Sequence, residues 1–192
     1  MKRNLILSVL VFSVLLFLQS FNLIHNERID AVAGTDSAYL IIDGKVGRLE
    51  INMDVSTLKN IFPEERMKVK NTSSDGDEYA TYKIFEDDIK TLALELESLC
   101  ADICLVSRIN VVSPKYKTLA GIGVGNTFAD IKKNYTMKNI VGGEDNNFMI
   151  YVKEFADIAF LVRSSDNKPK LGKPYGASDI LNTDIISQIY IF

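Results

Sequence analysis

The sequence predicts an α+β fold: two tandem βαβββ-type repeats, each an antiparallel sheet with a short helix packed on it. Three observations predict it. Apolar residues alternate along several segments, as in Leu92, Leu94 and Leu96, and again in Ile158, Phe160 and Val162. That is the period of a half-buried strand. Two other segments place apolar residues three or four apart: Val55, Leu58, Ile61 and Phe62, then Phe128, Ile131 and Tyr135. Each set makes one face of a helix. Finally, residues 39–113 and 118–192 run through the same order of elements, the mark of an internal repeat.

In the first half the strand-like "RLEINM" begins at Arg48 and the helix follows. Pro63 stops that helix, because its ring cannot continue the turn pattern. A polar loop, "NTSSDGDE", occupies 71–78. "ATYKIFEDDIKTLALELE" then reads as two strands about an acidic turn at Glu86, Asp87 and Asp88, and "LVSRINVVS" from Leu105 is the last strand. In the second half the counterparts are "LAGIGV" from Leu119, the helix, "GGEDNN" at 142–147, and "FMIYVKEFADIAFLVR" with its turn at Glu154 to Asp157. "IISQIYIF" from Ile185 closes it. Leu58, Lys59 and Phe62 match Ile131, Lys132 and Tyr135; Ser107, Ile109 and Val111 match Ser187, Ile189 and Ile191. A meander with one apolar face must cover that face, and the helix is its lid. We expect repeat 1 over 34–117 and repeat 2 over 118–192, sharing one wide sheet or packing through their helices.

Residues 1–33 read as a targeting segment. Lys2 and Arg3 precede an apolar run from Leu5 to Leu18, and Ala31-Val32-Ala33 offers a small-x-small cleavage pattern, the parts of a secretory signal peptide. Extended to Ile24, the run also approaches the roughly 20 residues of a bilayer span, so an uncleaved anchor fits as well. The expected location is therefore periplasmic or extracellular, free or held by an N-terminal membrane helix.

The net charge is −3, without the basic footprint of a nucleic-acid binder. The one histidine, His25, lies in the targeting segment. The remainder has no Ser-His-Asp or Cys-His mechanism open to it, and it lacks the commonest transition-metal ligand. No cofactor or metal is expected. "DGDE" at 75–78 lacks the spaced oxygens and closing glutamate of a calcium loop.

"GIGVGNTFADIKKNY" at 121–135 is G-x-G-x-G, not the G-x-G-x-x-G of a dinucleotide site in a βαβ unit. Read as a strand, it puts Gly121, Gly123 and Gly125 on one bare face that a partner segment can approach closely. Thr127 or Asn126 can cap the helix, with Asp130 three residues after Thr127 in a capping-box position. Cys100 and Cys104 flank "ADI" at a hairpin end, where a disulfide or buried free thiols both fit; a zinc site lacks two further ligands. The long segment 164–182 gathers Lys168, Lys170, Lys173 and Tyr175 among prolines and glycines. A loop of that length is functional or merely solvated. Lys170, Lys173, an exposed Tyr175 and the three glycines are the expected partner contacts.

Read together, "SPKYKTLAGIGVGNTFADIKKNY" and "FADIAFLV" resemble a pattern of uncharacterised exported bacterial proteins. More distantly, they are similar to the small repeat of the outer-membrane assembly lipoprotein family and of β-lactamase inhibitor protein. The resemblance implies an α+β binding module without catalysis. The expectation is thus an exported, non-catalytic interaction protein of the cell envelope, whose partner is a protein or envelope component. The alternatives are a small-ligand carrier, with a pocket between two sheets, or a hydrolase using carboxylates among Glu86, Asp87, Asp88, Glu154 and Asp157.

Overall fold

In the computed structural model, residues 36–74, 77–166 and 168–192 are described. The expected targeting segment and residues 75 and 76 of "DGDE" lie outside them. Ser37–Phe192 make one compact unit. Its centre is an eight-stranded antiparallel sheet: β4 (Met67–Ser74), β5 (Asp77–Phe85), β6 (Leu92–Cys100), β7 (Cys104–Val111), β9 (Met137–Gly142), β10 (Asn147–Val152), β11 (Ile158–Arg163) and β12 (Ile185–Ile191). Their spatial order is β4-β5-β6-β7-β12-β11-β10-β9. It reads as one meander followed by the second in reverse, joined where β7 meets β12. A smaller sheet holds β1 (Leu40–Ile42), β2 (Lys45–Val46), β3 (Leu49–Glu50) and β8 (Lys117–Thr118).

The α+β class is as expected, and one wide sheet is how the halves combine. Several details differ. Four strands follow each helix, not three, because the polar "NTSS" is the end of β4 and Met137–Gly142 pairs as β9. A hydrophilic edge strand has one solvated face and one solvated edge, so it lacks the apolar alternation that marks its neighbours. The boundary expected between residues 117 and 118 falls inside β8, which pairs in parallel with β1.

Cross-strand register aligns one apolar face across the sheet. Ile84 opposes Leu94, Leu94 opposes Val111, Val111 opposes Ile189, Ile189 opposes Phe160 and Phe160 opposes Ile150. All six are fully buried. Leu58 of the 3-10 helix Val55–Asn60, Phe128 and Ile131 of α1 (Phe128–Asn134), and Ile41, Val46 and Leu49 of the small sheet join them in one core. Burying a side chain of this size stabilises by roughly 1.5–3 kcal/mol, so the lids and the small sheet hold the sheet's inner face together. The outer face is solvated over β4 to β7 and sheltered at β11, where Ala159 lies between Tyr151 and Tyr190 and is fully buried.

Both helices start alike. Asp54 accepts from Ser56 N at 2.8 Å. Thr127 and Asp130 form the expected capping box. The chain just before each helix also serves as an extra strand: Asp54 bridges Leu105 on β7, and Thr127 bridges Ile185 on β12.

Candidate functional site

β6 and β7 are longer than β10 and β11, and β12 covers β7 only at Ile109, Asn110 and Val111. Below that pairing the chain before the first helix takes over the edge of β7, with Asp54 bridging Leu105 and Val106 still in the core, and only the hairpin tip around residues 99–103 stands out in solvent. Its last cross-strand pair is Cys100 and Cys104, joined by a disulfide. Around this clip the apolar surface is unusually open. Leu99 is 47% exposed, Ile103 57% and Tyr79 41%. Tyr79, Leu99 and Leu105 are direct cross-strand neighbours, so they form a row and not scattered singles.

Two concavities flank the hairpin. The larger, about 520 Å³, is lined by Asn71, Thr72, Tyr79, Ala80, Tyr82 and the disulfide. The smaller, about 330 Å³, is lined by Asn52, Leu99, Ile103 and Leu105 among others. Asp54 is held ionised below the usual carboxylate range by hydrogen bonding from Ser56. Burial, and then the Asp54 charge, push the Tyr82 hydroxyl up. The surface is apolar with a few polar groups at its rim, the composition of an interaction patch.

The motif "SPKYKT" at 113–118 does a different job, because its polar side chains are bound internally. Ser113 Oγ donates to Glu86 Oε1 at 2.5 Å and Lys115 Nζ to Glu86 Oε2 at 2.6 Å. Burial alone would raise the Glu86 pKa, but the Lys115 and Ser113 hydrogen bonds and the Lys115 and Arg66 charges outweigh it and hold it low. Tyr116 packs edge-on against Tyr39 at 5.2 Å. Burial pushes its hydroxyl up to about 12. Lys117 Nζ donates to Asn126 Oδ1 at 2.9 Å, and burial lowers its pKa. Thr118 accepts from the Tyr135 hydroxyl at 2.6 Å. The segment ties the turn after β5, the small sheet and the α1 region together.

The glycines do not form a strand. Gly121 and Gly125 have φ of 75° and 89°, values that glycine adopts without steric cost. They make two consecutive turns. A Cβ on Gly123 would sit 2.3 Å from the Tyr116 carbonyl oxygen and 2.5 Å from the Lys117 side chain. The expected bare face is therefore absent: Gly123 is buried, and the close approach is made by the chain's own "SPKYKT" segment.

The basic loop is also placed otherwise than expected. It runs along the free side of β9. Gly172 N donates to Gly142 O, Gly142 N to Lys173 O, and Tyr175 N to Ile140 O, at 2.8, 2.8 and 2.9 Å. Tyr175 is half-buried, packed edge-on at 5.1 Å from Phe148, and its hydroxyl accepts from Lys170 N. Lys170 and Lys173 remain exposed. The loop is a strap that seals a sheet edge.

The acids considered for hydrolysis lie in two turns, one after β5 and one after β10. Glu86 is bound as above and Asp87 pairs with Arg66 at 2.6 Å. Asp88 caps its own turn through Thr91 and Lys90, which lowers its pKa to about 2. Glu154 accepts from Thr136 N; Asp157 follows in the β10–β11 turn. Among the described residues no group of three or more His, Cys, Asp or Glu is placed to hold a metal ion. No helix there is long and apolar enough to cross a membrane.

The exposed row beside the disulfide escaped the sequence reading. Its signal is present in retrospect: Leu99 and Ile103 flank the cysteines at a hairpin tip, where polar turn residues are the rule.

No family model matches the sequence, and no curated protein does. A solved structure does share the architecture. The uncharacterized protein yfeY from Escherichia coli superposes with a TM-score of 0.58 at 15% identity, over 78% of this chain and 97% of that chain. At that identity the likeness is one of fold, carried by an uncharacterised bacterial protein.

Proposed function

We propose that the protein is an exported, non-catalytic interaction module of the bacterial cell envelope, and that it binds through the disulfide end of its sheet. The observation that carries this reading is the row of exposed Tyr79 and Leu99 with half-buried Leu105, and exposed Ile103 at the hairpin tip, beside two concavities. Monomeric proteins rarely leave contiguous apolar surface open without a use for it. The Cys100–Cys104 clip favours an oxidising compartment, in keeping with the leader-like residues 1–33. A small-ligand carrier is the weaker reading, since the larger concavity is an open groove and carriers enclose their cargo.

We also read the halves as copies of one unit. The palindromic strand order and the paired bridges of Asp54 and Thr127 support this. The distant similarity to the assembly lipoproteins and β-lactamase inhibitor protein belongs to the same reading: a helix on an antiparallel sheet that works by binding.

The test is site-specific photo-crosslinking in living cells, with the probe placed at Leu99, at Ile103, or at exposed Lys153 as a control. Discrete adducts from the first two and none from Lys153 are expected. Adducts that do not differ among the three positions would sink the proposal.

A further inference from the structure

The two edges of the large sheet are treated differently. The strap closes β9 with hydrogen bonds at Ile140 and Gly142. At the other end β4 pairs only with β5, and no described segment pairs with its outer side. Lys68, Val69, Lys70, Asn71 and Thr72 are all exposed. The open edge has no proline or bulge to disrupt pairing over Met67 to Thr72. An open, regular edge of this kind is a template for a further strand.

Its two faces differ in chemistry. On the inner face Met67, Val69 and Asn71 continue the rows of Ile84, Tyr82 and Ala80. The larger concavity opens beside Asn71, Ala80 and Tyr82. On the outer face stand Lys68 and Lys70. Lys68 lies opposite Lys83, which is itself paired with Glu95 at 3.5 Å. Among the described residues no carboxylate is within ion-pair distance of Lys68 or Lys70. The lysines also oppose self-pairing: two copies of β4 related antiparallel about Val69 would set Lys68 against Lys70, and like charges directly opposite destabilise a sheet.

We propose that β4 is a docking edge for an extended segment of a partner protein in which acidic residues alternate with apolar ones. The acidic side chains pair with Lys68 and Lys70, the apolar ones continue the inner face beside Val69, and backbone hydrogen bonds extend the sheet by one strand. This inference rests on the reading of the disulfide end as a binding surface, and it adds the mode and the partner's chemistry.

The test uses the full-length chain and three synthetic twelve-residue peptides: alternating Glu and Val, alternating Lys and Val, and the first with every backbone amide N-methylated. The Glu/Val peptide should bind and slow amide exchange in β4 but not in β9. The other two should bind at least tenfold more weakly. In the K68E/K70E double variant, whose changes are on the surface, the preference should reverse toward the Lys/Val peptide. No binding of the Glu/Val peptide, equal binding of the N-methylated one, or protection outside β4 overturns the inference. If it fails in this way while crosslinks at Leu99 and Ile103 persist, the surface reading stands and the edge does not. If the peptides behave as stated and the crosslinks are absent, the reverse holds.

Discussion

Ser107 and Ser187 occupy the same β-bulge in the two halves of the chain. Glu97 pairs with Arg108 and Ser98 with Val106, which leaves Ser107 as the extra residue on β7. Leu161 pairs with Gln188 and Val162 with Ile186, which leaves Ser187 as the extra residue on β12. Each hydroxyl donates at 3.1 Å to a carbonyl of the preceding strand, Glu97 O and Leu161 O. A bulge leaves a residue outside the ladder and bends the strand, and here a serine ties that residue back.

The two bulges should differ in cost. Ser187 shares its one hydroxyl hydrogen between the Leu161 carbonyl and the nearer Oδ1 of buried Asn147, at 2.7 Å. Ser187→Ala leaves that oxygen without its donor and should destabilise by about 1–3 kcal/mol. Ser107→Ala lies at the surface and should cost about 0.5 kcal/mol. Denaturant unfolding of both and of the double variant checks this. The effects should add, because the sites share no partner.

The antiparallel strands were legible in the sequence because they rest on periodicity, and Ser107 with Ser187 already lay in register there. β4 and β9 were not, since edge strands carry no strict alternation. The glycines misled for a different reason. Spacing alone cannot separate a strand from consecutive turns, and the positive φ at Gly121 and Gly125 belongs to turns that fold Gly123 back onto Tyr116. The strap was hidden likewise: Lys170 and Tyr175 read as solvated until Phe148 and the β9 edge were beside them.

The glycine positions can be told apart by stability. Gly123→Ala drives a methyl into the Tyr116 carbonyl and should cost about 2 kcal/mol or more. Gly121→Ala meets no neighbour, so only the backbone penalty of a positive φ applies, about 1–2 kcal/mol. Thermal melts of both variants decide it. An intact, fully stable Gly123→Ala would mean that the contact with Tyr116 is not tight.

Glu86 predicts an acid dependence. Its pKa is depressed in the folded state from the ordinary 4.5, so its contribution is present above that value and lost as pH falls through the folded one. Glu86→Gln should lower stability near neutral pH by about 1–2 kcal/mol. It should also flatten the decline below pH 4.5, as read from urea midpoints across pH. A variant with an unchanged acid limb would show that Lys115 and Ser113 do not act on this carboxylate.

Tyr116 predicts the opposite limb. Its hydroxyl is raised to about 12, whereas an unfolded tyrosine ionises near about 10. Its contribution is present below the unfolded value and is lost as pH rises through the folded one. Burial raises Tyr82, Tyr135, Tyr151 and Tyr190 as well, so ultraviolet difference titration should show several late-ionising tyrosines, one fewer in Tyr116→Phe. The variant should keep the edge-on contact with Tyr39 and lose part of the alkaline fall in stability.

The strap predicts an aggregation phenotype in place of a binding one. A Cβ on Gly142 would lie 2.1 Å from the Lys170 carbonyl oxygen, so Gly142→Ala must push the strap from β9. Tyr175 would leave Phe148, and the β9 edge would lie bare, as exposed edges do before they pair with another chain. Removing residues 168–174 should have the same effect more strongly. Light scattering at rising concentration checks both, against Lys170→Ala, which keeps the backbone bonds and should stay monodisperse. If the deletion were as soluble as the parent, the strap would not be what protects this edge, and the contrast with open β4 would lose its force.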